Sequence, residues 1–99
     1  MEEETRSKPR ILVVDDESQN LRLMEAMLLP LGYEVIQAQG GEEALRKVGE
    51  LPPDVILLDI MMPRMDGFEA ARRLKEDDET KIIPIVMVTV LREGSEGSV

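Results

Sequence analysis

Short apolar runs alternate with stretches in which apolar residues return at every third or fourth position. The first run, Ile11-Leu12-Val13-Val14, stops abruptly at Asp15-Asp16. Four consecutive apolar residues, three of them β-branched, predict a strand buried on both faces. Leu21, Met24, Leu28 and Leu31 then recur at spacings of three and four, which predicts a helix carrying them on one face with Arg22 and Glu25 turned outward. Ser18 is placed to cap its start, Pro30 to end it, and Gly32 to make the turn that follows.

The rhythm repeats. Residues 33–38 predict a second strand, and Gly40-Gly41 a turn. Residues 42–50 predict a second helix, with Ala44, Leu45 and Val48 inward and Pro52-Pro53 as its stop. Residues 54–58 predict a third strand, which again ends at an acid, Asp59. Asp66, with Glu69 three residues on, has the form of a capping box for a third helix running to about Glu76. Leu74 and Ala70 or Ala71 should face the core. Residues 77–81 read as a polar loop. Residues 82–90 predict a fourth strand, with Pro84 near its start, where a missing donor is tolerated. Continuous apolar strands alternating with amphipathic helices indicate an α/β protein, a parallel sheet with helices on both faces. Residues 1–9 read as a loose leader and residues 93–99 as a Gly/Ser-rich tail. Residues 10–92 are then the single domain.

Composition narrows the chemistry. The chain has 99 residues, 42% of them hydrophobic, with Tyr33 and Phe68 as the only aromatics. Its core must therefore be aliphatic. Cysteine and histidine are absent, which excludes disulfides, thiolate metal sites and imidazole chemistry. Any metal should be a hard cation on oxygen ligands. A net charge of -9 argues against direct nucleic-acid binding. No apolar run approaches the ~20 residues that span a bilayer, and the charged start does not resemble a signal peptide. A cytoplasmic location is expected.

In open parallel sheets, sites form at the carboxyl ends of strands, where strand order reverses. Three such ends carry polar groups here: Asp15-Asp16, Asp59 and Thr89. If the first and third strands are neighbours, three carboxylates converge. Their mutual repulsion is costly unless a cation joins them. Carboxylates with a backbone carbonyl and waters suit Mg²⁺, which neutralises a phosphoryl group in transfer. Aspartate is also a competent nucleophile that forms an acyl phosphate. Taken singly, Asp15-Asp16 is an acidic turn, Asp59 a loop-start aspartate and Thr89 a β-branched strand residue. Asp66 is assigned to capping, and Glu17 to a solvated charge. Met61, Met62 and Met65 suit either a soft binding surface or core filling. Residues 76–79 lack the spacing of an EF-hand loop and read as solvated.

The segments ILVVDDES, DVILLDIMMPRMDGFEA and IPIVMVTV resemble, in order and spacing, the three signature segments of response regulator receiver domains from bacterial two-component systems. The similarity runs from about Pro9 to Leu91. It implies a CheY-like, flavodoxin-like doubly wound sheet and a signalling module rather than an enzyme. It implies that Asp59 accepts a phosphoryl group from a sensor histidine kinase or phosphotransfer protein. Asp16 and Asp59 would bind Mg²⁺ directly, Asp15 through water, and Met61 through its main-chain carbonyl. Thr89 would bring its hydroxyl onto the phosphate and report the modified state.

Against that family the chain departs in three ways. Receivers of this kind have a fifth strand with a lysine at its carboxyl end, and two further helices. Nothing after Val90 is apolar enough for a buried strand, and no lysine follows Lys81. Val90 stands where the family mostly has a small residue. The expectation is thus an incomplete fold of four strands and three helices. Its fourth strand would form a hydrophobic edge, unstable alone or buried in a homodimer or swapped oligomer. Weakened phosphorylation is also expected. The competing reading is a receiver-like interaction module that is not phosphorylated. A phosphatase that works through an aspartyl phosphate would need Asp-x-Asp-x-Thr where Asp15-Asp16-Glu17-Ser18 stands. A nucleotide-binding enzyme would need a Gly-rich loop after the first strand.

Overall fold

A computed structural model of the chain describes residues 8–89. Its elements are β1 (Arg10–Val14), α1 (Ser18–Leu28), a 3-10 turn (Leu29–Leu31), β2 (Glu34–Ala38), α2 (Gly41–Glu50), β3 (Val55–Asp59), α3 (Gly67–Glu76) and β4 (Ile85–Val88). The strands form one parallel sheet in the order β2-β1-β3-β4. Val14 lies beside Ala38 on one side and Leu58 on the other, and Asp59 lies beside Val88. The order reverses at β1, whose two neighbours come next but one and next in sequence. The crevice at that reversal is where the acids of β1 and β3 emerge.

Strand alternation divides the core in two. Leu12, Val14, Ile56 and Leu58 point to the face covered by α2 and α3. There they meet Ala44, Val48, Ala70 and Leu74, with Met62, Met65 and Ile83 filling the margins. Ile11 and Val13 point to the other face, onto Leu21 of α1, with Met24, Leu28 and Leu57 half-buried around them. β1 is thus covered on both faces, which is why its sequence is continuously apolar rather than alternating. Full burial of a Leu or Val is worth roughly 1.5–3 kcal/mol, and β1 supplies several such residues. It is the strand that fixes the position of Asp15.

The expected elements form, with local corrections. The residue that caps α1 is Glu17, and Ser18 is already the first helical residue; no side-chain bond caps this end. Leu31 is 70% exposed rather than on the inner face of α1. The helix ends at Leu28, and the 3-10 turn advances three residues per turn, so the 3.6-residue stripe does not continue through it. Gly32 closes that turn at φ 95°, donating its N–H to Leu29 O at 3.0 Å, a left-handed conformation that suits glycine. Glu25 is half-buried, not outward, and accepts from Gln37 Nε2 at 2.8 Å. β4 is shorter than expected. Ile82 is 81% exposed in the preceding turn, and Pro84 lies just outside the strand, lending its carbonyl to Ile56 N–H. Residues 1–7 of the expected leader, Val90 and the expected tail lie outside the described residues.

Candidate functional site

Asp15 follows the last residue of β1, and its N–H extends the ladder to Ala38 O at 3.1 Å. The strand therefore carries it straight into the crevice, where it is fully buried. Its Oδ1 accepts the Glu17 N–H at 2.9 Å, and its Oδ2 accepts Asn20 Nδ2 at 3.2 Å. The bonds come from the cap residue and the first turn of α1, so the helix start holds the carboxylate in place. Asp59 ends β3 and is 2% exposed; its Oδ1 accepts the Met61 N–H at 3.2 Å. Asp16, half-buried, completes the group. Ligand-competent oxygens of Asp15, Asp16 and Asp59 all lie within 4.8 Å of one another.

That crowding leaves an electrostatic mark. Burial pushes the Asp15 carboxyl above its ordinary value. The nearby charges of Asp59 and Asp16 push the same way, against the bonds from Glu17 and Asn20. Three carboxylates at this range, without a thiol or imidazole, form a donor set for a hard divalent cation. The residues present therefore fit Mg²⁺.

The loop after Asp59 is built to keep its backbone close. Ile60 donates its N–H to Val88 O at 3.1 Å, and Gly67 donates to Ile60 O at 3.0 Å. A Cβ at Gly67 would lie 2.9 Å from Ile60 Cα and against the Asp59 carbonyl, so only glycine lets α3 begin there. Asp66 caps α3 by accepting the Glu69 N–H at 2.9 Å, as expected. The reciprocal half of the box is diverted: the Glu69 carboxylate pairs with Arg72 and Arg73.

The three methionines divide. Met62 and Met65 are buried and fill the core, while the Met61 side chain is 64% exposed. Residues 76–79 are exposed, as expected of a solvated loop, and Asp77 organises its turn by accepting the Glu79 N–H. Thr89 is exposed and comes directly after Val88, the register partner of Asp59. The structure thus brings Asp15, Asp16 and Asp59 together, with Met61 on the adjoining loop and Thr89 at the neighbouring strand end. Sequence reading missed Asn20, which anchors Asp15 from one helical turn away. A single polar residue on an amphipathic helix carries no signal by itself.

Acids at the tips of β1 and β3 on a β2-β1-β3-β4 parallel sheet coincide with a family match: the response regulator receiver domain model covers residues 11–97. The chain belongs to the response regulator receiver domain family. It is 52% identical over 82 residues to Response regulator PleD of Caulobacter vibrioides, which covers 83% of this chain and 18% of PleD. Protein PilH of Pseudomonas aeruginosa is 41% identical over 80 residues, covering 81% of this chain and 66% of PilH. Among solved structures, the N-terminal domain of a response regulator receiver protein from Methanoculleus marisnigri JR1 matches with a TM-score of 0.80 and 46% identity. That match covers 82% of this chain and 66% of the other. The chain therefore spans less than a fifth of PleD. As a receiver domain of two-component response regulators, it is a signalling module, and its acidic crevice lies where the sheet topology places a site. Among the described residues, no helix is long and apolar enough to cross a membrane.

Proposed function

We propose that this receiver domain takes a phosphoryl group on Asp59 from the phosphohistidine of a sensor kinase or phosphotransfer protein. The observation that carries this reading is the convergence of Asp15, Asp16 and Asp59 within 4.8 Å at the strand-order reversal. Asp59 Oδ attacks phosphorus, the P–N bond to the donor imidazole breaks, and the departing nitrogen keeps the electron pair and takes up a proton. A carboxylate and a phosphoryl dianion repel each other, so the step needs positive charge close by. Asp15, Asp16, Asp59 and the Met61 carbonyl are the groups that would hold Mg²⁺. When bound, the ion offsets the charge that gathers on the phosphoryl oxygens.

The protein's own contribution is orientation. Glu17 N–H and Asn20 hold Asp15, and Met61 N–H holds one oxygen of Asp59, so the acids are fixed before a donor arrives. Thr89, one residue past the register partner of Asp59, is the hydroxyl that would sense the product. Its movement onto a phosphate oxygen would carry the signal into the loop that follows β4.

Intact-mass spectrometry of the chain after treatment with phosphoramidate and Mg²⁺ tests the reading. A gain of one phosphoryl group that disappears in Asp59→Asn is expected. Mg²⁺ binding without that gain would reject phosphotransfer and leave a receiver-like interaction module.

A further inference from the structure

The cleft that reaches the acidic cluster has a volume of about 520 Å³ and includes Asp16 in its lining, together with Glu42, Glu43 and Arg64. Its charged lining is acidic except for Arg64. Glu43 is already engaged by Lys47 at 3.0 Å, and the other cations nearby are also committed. Arg72 and Arg73 pair with Glu69, and Arg46 pairs with Glu50. Arg64 makes no ion pair or hydrogen bond among the described residues, although it lines a second hollow with Glu42, Asp66 and Glu69. Its backbone is held at φ 65°, the one non-glycine residue at positive φ among those described. The turn around it is tight, with Met65 N–H donating to Pro63 O at 2.7 Å, and Met65 is buried beneath. A left-handed arginine is costly for local geometry, and the turn fixes where its side chain leaves the loop.

We infer that Arg64 is a steering residue for anionic phosphodonors, offsetting the acidic lining of the cleft that opens beside Asp16, whose carboxylate lies within 4.8 Å of that of Asp59. This rests on the phosphotransfer reading above. A donor that enters this cleft on its way to the acidic cluster meets Glu42 in the lining, which repels it. Arg64 supplies the opposing field along the same path. Charges lining a cleft change association rates far more than they change the chemical step, and they do so in proportion to the charge on the ligand. The consequence is donor selectivity: a dianionic acyl phosphate gains more from Arg64 than singly charged phosphoramidate.

The experiment compares initial rates of Asp59 phosphorylation by acetyl phosphate and by phosphoramidate, for wild type, Arg64→Lys and Arg64→Glu, at low and high ionic strength. Arg64→Glu is expected to lower the acetyl phosphate rate by about three- to tenfold at low salt, with a smaller loss for phosphoramidate. Arg64→Lys should stay near wild type. The gap should close as the screening length falls from about 30 Å at 0.01 M to about 8 Å at 0.15 M. An unchanged ratio between donors, or an equal loss for both that ignores salt, would overturn the role of Arg64 while leaving Asp59 as acceptor. A wild-type chain that neither donor labels would instead remove the phosphotransfer reading, and this inference with it.

Discussion

Gly67 and Ile60 touch through their backbones: a Cβ built on Gly67 lies 2.9 Å from Ile60 Cα, and Gly67 donates its N–H to Ile60 O at 3.0 Å. The first turn of α3 is thereby pressed onto the residue that follows Asp59. The obstacle is backbone, not a flexible side chain, so relief requires the loop itself to move. Gly67→Ala is expected to destabilise the fold by about 1–3 kcal/mol, the usual range for overpacking. Because the displaced atoms adjoin Asp59, Mg²⁺ should also bind more weakly. Thermal unfolding with and without Mg²⁺ checks both. A variant with unchanged midpoint and unchanged Mg²⁺ response would contradict the close approach.

Asp15 is a buried acid whose ionisation is opposed by burial and by Asp59 and Asp16. A carboxyl raised in the folded state makes folding less favourable once the pH exceeds its ordinary value, because the native state must ionise it at a cost. Asp15→Asn removes that cost and keeps an oxygen for the Glu17 N–H. Without metal, the variant should gain on the order of 1 kcal/mol at neutral pH. It should also lose most of the stabilisation that Mg²⁺ gives the wild type. Chemical denaturation in chelator and in excess Mg²⁺ reads the two effects separately. Equal Mg²⁺ stabilisation of both proteins would exclude Asp15 from the metal's surroundings.

Glu43 behaves in the opposite sense. The Gln39 N–H, first, and then Lys47 hold its carboxyl below the ordinary value. An acid lowered in the folded state contributes stability above its unfolded value and loses that contribution as pH falls through the folded one. Stability should therefore decline on acidification below the usual glutamate range, and Glu43→Gln should flatten that part of the profile. Urea midpoints measured stepwise from neutral pH into that range test the sign. A steeper decline in the variant would refute it.

Much of this was legible because the apolar pattern is unusually clear. β1 is covered on both faces and so reads as an unbroken run, and Asp15 and Asp59 follow such runs directly. What stayed hidden depends on backbone geometry that residue identity does not encode. Leu31 keeps helical spacing in sequence, yet the 3-10 turn carries it away from the face that Leu21 occupies. Gly67 looks like part of a helix-capping signal, and its closeness to Ile60 emerges only when α3 meets β3. Arg64 looks like any surface arginine until its positive φ and its place on the acidic cleft are seen together. Asn20 is one polar residue among several on α1, and only the end of β1 gives it a partner.

β4 is the outer strand of the described sheet, hydrogen-bonded to β3 alone within it. Its Val86 is 49% exposed and Ile82, just before it, is 81% exposed. Outer strands with apolar side chains and no charge along them are templates for pairing with another chain. Among the described residues only β3 pairs with β4, and association β4 against β4 with rising concentration is expected. Val86→Lys places a charge on the strand, where it can reach solvent, and should cost little stability, within about 0.5 kcal/mol. Sedimentation velocity over a range of concentrations distinguishes the proteins: wild type should shift to larger species while Val86→Lys stays monomeric. Wild type that remains monomeric at every concentration would show that this edge is protected, and the pairing idea would fail with it.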